Sequence, residues 1–155
     1  MLTFNFKNIN LSSGAKLLDV GCGEGRHIFG SLQAFEKAYC VGYDQHIPSL
    51  NICKEGLEFF KELNSGAAVF VQGSVYKLPF EDNSFDLIFC SEVLEHLDDY
   101  HLALDEIHRV LKSGGQFLPS VPSFWPEKIC WTLSTGYQNM PGGHVRIFKK
   151  NQVIA

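Results

Sequence analysis

Short apolar runs alternate along this chain with longer stretches of helical spacing, and the alternation repeats until about residue 121. Lys16 to Val20 is the first apolar run, and it breaks directly into Gly21-Cys22-Gly23-Glu24-Gly25. Glu24 to Phe35 then reads as a helix, and Ala38 to Tyr43 as a second strand. Pro48 suits a helix start, and Leu50, Cys53, Leu57, Phe60 and Leu63 recur at steps of mostly three and four, so an amphipathic helix is predicted to stop near Asn64-Ser65-Gly66. Ala67 to Gln72 is a third strand. Phe85 to Cys90 has the apolar density of a strand buried on both faces. From Asp98 the positions Ala103, Ile107, Val110 and Leu111 are helical, Ser113-Gly114-Gly115 supplies a stop, and Gln116 to Val121 is a fifth strand bounded by prolines. At the start of the chain Leu2, Phe4 and Phe6 alternate with polar residues, which fits a short strand or an extended cover over a pocket. Strands and helices in strict alternation predict an α/β fold with a doubly wound parallel sheet, and a ligand at the C-terminal ends of its strands.

Composition narrows the class. The chain has 155 residues, 45% of them hydrophobic, with a formal charge of −4. That bounds it to one domain with a real core, read as a single unit over 1–155. Lys and Arg are scattered except around Arg146, Lys149 and Lys150, so no basic stripe exists and no nucleic-acid partner is expected. No run approaches eighteen apolar residues, which excludes a membrane-spanning helix from the expectation. The five cysteines, at 22, 40, 53, 90 and 130, contain no Cys-x-x-Cys pair and are odd in number, which points to free thiols and a cytoplasmic setting.

The chemistry starts at the glycine turn. Glycines at alternate positions permit a tight turn and close approach of a ligand to the backbone, and the helix that follows presents free N–H groups to it. Asp44 at the tip of the second strand can accept both hydroxyls of a ribose. An adenosine-containing cofactor follows from that pairing. Dinucleotide enzymes use Gly-x-Gly-x-x-Gly, whereas Arg26 occupies the third glycine position here, which disfavours a nicotinamide-dependent oxidoreductase.

With Asp19 ahead of the turn, Leu18-Asp-Val-Gly-Cys-Gly-Glu-Gly25 resembles the first motif of class I S-adenosylmethionine-dependent methyltransferases, of the type 11-like group. Val41-Gly-Tyr-Asp44, Gly73-Ser-Val-Tyr-Lys-Leu-Pro-Phe80, Ser84 to Leu97 and Arg109-Val-Leu-Lys-Ser-Gly-Gly115 resemble its further motifs in the same order. The resemblance implies a Rossmann-like sheet and S-adenosylmethionine as the cofactor. It implies cofactor-binding roles for Asp19, Gly21, Cys22, Gly23, Gly25, Asp44, Gln45, Ser74, Val75 and Ser91. Ser74 departs from the family pattern, in which an Asp commonly accepts from the adenine amino group; a hydroxyl accepts with less charge assistance. The family has seven strands, and the residues after Val121 are too few for the sixth and seventh, so strands one to five are expected and the chain reads as C-terminally incomplete. An open edge at strand five would then invite self-association.

Methyl transfer from a sulfonium depends mainly on positioning the nucleophile. If the acceptor is a hydroxyl, a base must remove its proton, and Glu92, His96 and His144 are the candidates. Glu92, Glu95 and His96 would share one face of a helical turn. With His144 they are similar to the metal site of RNA 3′-terminal 2′-O-methyltransferases and of ubiquinone-pathway O-methyltransferases. The same Glu-Val-Leu-Glu-His-Leu also occurs in methyltransferases that bind no metal, and no metal is assigned. Trp125, Trp131 and Tyr137 lie on a Pro- and Gly-broken segment, as an acceptor pocket or as a packed lid. The expected function is methyl transfer to a small-molecule or lipid-precursor acceptor. The alternatives are a cofactor-binding module without turnover and, less favoured, the oxidoreductase.

Overall fold

The computed structural model describes residues 3–60, 66–123, 128 and 144–148. Five strands form one parallel sheet: β1 Lys16–Val20, β2 Tyr39–Asp44, β3 Ala67–Gln72, β4 Phe85–Ser91 and β5 Leu111–Ser120, in the spatial order β3-β2-β1-β4-β5. Three helices connect them: α1 Arg26–Ala34, α2 Ile47–Phe60 and α3 Tyr100–Val110. The order reverses between β1 and β4, and that reversal opens a crevice at the strands' carboxyl ends.

The central strands are apolar on both faces because helices cover both. Leu18, Val20, Val41, Ile88 and Cys90 pack with Ile107 and Val110 of α3. Leu17, Cys40, Leu87 and Phe89 pack on the opposite face with Ile28 and Leu32 of α1 and Leu50 of α2. Leu17, Leu18, Leu87, Ile88 and Phe89 are fully buried. The predicted doubly wound sheet is therefore observed, with register β1 to β2 running from Lys16 opposite Tyr39 to Val20 opposite Tyr43.

Three details depart from the sequence reading, and another settles an alternative it left open. Residues 6–8 form a 3₁₀ turn, and Phe4 and Phe6 cover the sheet through Phe89, so the cover and not the strand is found at the N-terminus. β5 begins at Leu111, directly after α3, and ends at Ser120. Its register against β4 jumps from Phe85–Leu111 to Leu87–Gln116, so Lys112 to Gly115 bulge outward, and Gly114 takes the left-handed conformation at φ +78. Glu92 leaves β4 with φ +57, and only Leu94–His96 coil, as a 3₁₀ turn, before α3 starts at Tyr100. The helical turn expected to gather Glu92 with Glu95 and His96 is absent, because Glu92 and Val93 lie outside helical conformation. The stop expected at Asn64 and Ser65 lies outside the described residues, as do Trp125, Trp131 and Tyr137.

Candidate active site

The crevice is built on the glycine turn after β1. Gly21 N and Cys22 N both donate to Tyr43 O of β2, at 2.7 and 3.2 Å, which ties the turn to the neighbouring strand. Gly21, Gly23 and Gly25 all have positive φ, at +71, +51 and +78. At Gly21 the reason is also space: a Cβ there would stand 2.3 Å from Val93 Cγ2. At Gly23 a Cβ would meet nothing within 4 Å, so this face of the turn is open to a ligand. Gly25 caps α1, whose first turn points back toward the same opening.

Asp44, at the end of β2, is fixed from two sides. Its Oδ2 accepts from Gly23 N at 2.8 Å and its Oδ1 from His46 N at 2.8 Å. Each carboxylate oxygen has further lone pairs, so the group is held in place and still able to accept from a ligand. Gly73 follows β3 and must be glycine because Tyr43 Oη occupies the place of its Cβ, at 1.9 Å. Tyr43 Oη in turn donates to Ser74 O and Lys77 O, at 3.2 and 3.4 Å, and burial pushes its pKa up. The loop beyond is clamped from α3: Arg109 donates to Leu78 O, Phe80 O, Asp82 and Glu106, while Glu106 Oε2 accepts from Leu78 N at 2.7 Å. Hydrogen bonding from Arg109 holds the Glu106 carboxyl down to about 2.

Two hollows meet at Gly21. The first, about 330 Å³, runs from Asp44 and Gln45 past Ser74 and Val75 to Glu92, Val93, His96 and Leu97. The second, about 340 Å³, lies across the turn between Cys22, Gly23, Glu24, Arg26, His27 and Ser91. The first combines a carboxylate with apolar walls, and the second combines a guanidinium with a helix start. Arg26 reaches Ser91 Oγ at 3.1 Å, and Ser91 Oγ lies 2.8 Å from Ser120 Oγ, which donates to Glu92 Oε1 at 3.3 Å.

Of the sequence candidates, Gly21, Cys22, Gly23, Asp44, Gln45, Ser74, Val75, Ser91, Glu92 and His96 line these hollows. Asp19 and Gly25 support them from behind. Asp19 is fully buried, 3.5 Å from His27 Nδ1, and burial raises its pKa. Arg26 entered the sequence reading only as a departure from the dinucleotide pattern; its place at the first residue of α1 was the signal that it faces the opening.

His144 also arrives at the site. Val145 N donates to Glu95 O at 2.8 Å, Arg146 donates to Leu97 O and Asp98 O, and Arg146 lies 4.6 Å over the Tyr100 ring. Phe148 is buried against Tyr100. These contacts hold the His144 ring 4.6 Å from that of His96. Donor atoms of Glu95, His96 and His144 lie within 4.8 Å of one another, and Glu95 is buried. A carboxylate and two imidazoles suit a divalent cation such as Zn²⁺ or Mn²⁺. Glu92, the fourth member expected from sequence, is not among these three.

The family model described as a methyltransferase domain matches residues 18–118. The chain is 38% identical over 110 residues to sterol 24-C-methyltransferase ERG6B of Gibberella zeae, covering 71% of this chain and 28% of that protein. It is 35% identical over 126 residues to demethylmenaquinone methyltransferase of Staphylococcus aureus, covering 76% of this chain and 50% of that one. The crystal structure of the YcgJ protein of Bacillus subtilis superposes with a TM-score of 0.78 at 24% identity, over 96% of this chain and 62% of that chain, which shows a shared fold. The chain thus spans half or less of the length of these two curated relatives.

Proposed function

This chain belongs to the methyltransferase domain family, and on that premise we propose that it transfers a methyl group from S-adenosylmethionine to a small-molecule or lipid-precursor acceptor. The observation that carries the reading is Asp44, which lines the first hollow and is locked 2.8 Å from Gly23 N, which lines the second. A ribose against Asp44 puts its base toward Ser74 and Val75, and puts the amino-acid end of the cofactor toward Arg26 and the start of α1, where its carboxylate finds a cation and free N–H groups. When bound, the cofactor supplies an electrophilic methyl on a sulfonium.

The chain's own residues then position and exclude. Val93 and Leu97 give the first hollow apolar walls, and Glu92, His96 and His144 stand on the side where an acceptor would enter. An imidazole of the His96–His144 pair takes the proton of a hydroxyl acceptor. The sterol and menaquinone chemistry named for the two relatives supports an apolar or lipid-like acceptor. No helix among the described residues is long and apolar enough to cross a membrane, and four of the cysteines are free thiols, which supports a cytoplasmic setting for the reaction. Titration calorimetry tests the cofactor: S-adenosylmethionine and S-adenosylhomocysteine are expected to bind and NADH not to. The reverse result overturns the reading, and binding without methyl transfer to any quinone- or sterol-type acceptor makes the chain a binding module.

A second reading has its own observation. Because Glu95, His96 and His144 converge, the imidazoles could serve a divalent cation that holds the acceptor oxygen in place of acting as bases. A chelator that abolishes turnover, with recovery on adding Mn²⁺ or Zn²⁺, selects this reading over the first.

A further inference from the structure

Beneath the glycine turn lie two thiols that the proposed reaction does not use. Cys22 sits in the turn between Gly21 and Gly23, and Cys53 sits midway along α2, fully buried. Their sulfurs converge on one atom: Cys53 Sγ lies 3.2 Å and Cys22 Sγ 3.7 Å from the carbonyl oxygen of Gly23. Glycines make the room for both. A Cβ on Gly25 would come within 3.0 Å of Cys53 Sγ, and a Cβ on Gly42 within 3.0 Å of Cys22 Sγ. The two thiols also hydrogen-bond each other, which raises the pKa of Cys22 and lowers that of Cys53. By contrast, Cys40 of β2 and Cys90 of β4 are fully buried in the sheet and line neither hollow. Cys22 lines the second hollow and so meets solutes that enter it.

We propose that Cys22 and Cys53 are an oxidisable dithiol pair, and that their disulfide shuts the cofactor site; the second half of this rests on the cofactor reading above. The oxidant is a small hydroperoxide, such as hydrogen peroxide. Its O–O bond breaks as one oxygen bonds to the Cys22 sulfur, and the Cys22 proton leaves with the other oxygen as water. The Cys53 sulfur then displaces the hydroxyl from Cys22; the S–S bond forms, and that hydroxide takes the Cys53 proton and leaves as a second water. Two thiols are oxidised by two electrons and one peroxide is reduced to two waters.

The disulfide acts on the site through Gly23. Bonded sulfurs stand about 2.05 Å apart, so the turn carrying Cys22 must move toward α2. Gly23 moves with it, and Gly23 N is the donor that fixes Asp44 Oδ2. Loss of that anchor misplaces the carboxylate proposed to hold the ribose, and a bound cofactor in turn covers Cys22.

The test uses the whole chain. Reduced protein is treated with hydrogen peroxide, remaining thiols are alkylated, and peptides are mapped by mass while S-adenosylhomocysteine affinity is measured by calorimetry. The expected result is a peptide joining Cys22 to Cys53, with Cys40 and Cys90 alkylated, and affinity at least about tenfold weaker until dithiothreitol restores it. Saturation with S-adenosylhomocysteine beforehand should slow the cross-link. Absence of the linked peptide, a different cysteine pairing, or a linked protein that binds as tightly as the reduced one overturns the proposal. Failure of the reduced protein to bind S-adenosylhomocysteine would instead sink the cofactor reading, and the peptide map would still decide whether the pair forms.

Discussion

At the scale of single residues, Asp44 shows how far spacing reaches. Its distance from the glycine turn and its place at a strand tip were legible in the sequence. That both of its oxygens are already oriented by backbone N–H groups was not, because such bonds depend on the fold of the turn. Asp44→Ala would remove the charge-assisted bonds proposed to the ribose, at about 1.5–3 kcal/mol each. It is expected to weaken S-adenosylhomocysteine binding accordingly by calorimetry while the chain stays folded by circular dichroism; parental affinity would remove Asp44 from the site. His144 sits far from the other candidates in sequence and was placed only by the Gly-Gly ahead of it. The structure adds the contacts that deliver it, through Val145 and Arg146. His144→Ala should lower kcat for the true acceptor by more than it lowers cofactor affinity, the pattern of a group that acts on the acceptor. Equal losses in both, or none, would count against that role. Arg26 was the residue underread, since its charge was weighed against a dinucleotide pattern and not for what a guanidinium at a helix start can bind.

At the scale of elements, the strands were legible because burial on both faces writes continuous apolar runs, as in Leu87-Ile88-Phe89. The connection after β4 was not. Glu92, Glu95 and His96 have helical spacing, but spacing states which residues would share a face if a helix formed, and the positive φ of Glu92 prevents one. The start of β5 was misplaced for a related reason: Ser113-Gly114-Gly115 reads as a helix stop, whereas it is a bulge inside the edge of the sheet. The clamp from α3 onto residues 78–82 was also invisible, as its carboxylate and guanidinium are ordinary helix-surface residues until the loop packs on them. Its consequence for pH is definite in sign. The Glu106 carboxyl falls from its ordinary 4.5 to about 2 in the folded chain. A depressed folded pKa means that the ionised group stabilises the fold above about pH 4.5, and that this contribution is lost as pH falls toward 2. Glu106→Gln should therefore lower the melting temperature at pH 7, with the gap from the parent closing between pH 4.5 and 2. A gap independent of pH would show that the carboxylate's charge is not what holds the loop.

At the scale of the whole molecule, the site and the sheet order have one cause. The reversal between β1 and β4 leaves a gap that no crossover helix can fill, and the glycine turn, Asp44 and Ser91 all stand at its rim. The alternation of strands and helices was enough to predict that gap. The same order leaves borders. Among the described residues β5 pairs only with β4, and β5 carries Phe117 and Leu118 half-buried on opposite faces of the sheet. A ten-residue border strand with unpaired N–H and C=O groups is a template for another strand. Pro119 withholds one donor from that border, which weakens the template without removing it. The chain is therefore expected to self-associate as its concentration rises, with sedimentation velocity showing a growing dimer or larger boundary. Gln116 and Leu118 then become the positions at which edge charge should act: Gln116→Lys, at a half-buried site in register with Leu87, should shift the boundary back toward monomer. A parent chain that sediments as a monomer at every concentration would overturn this expectation.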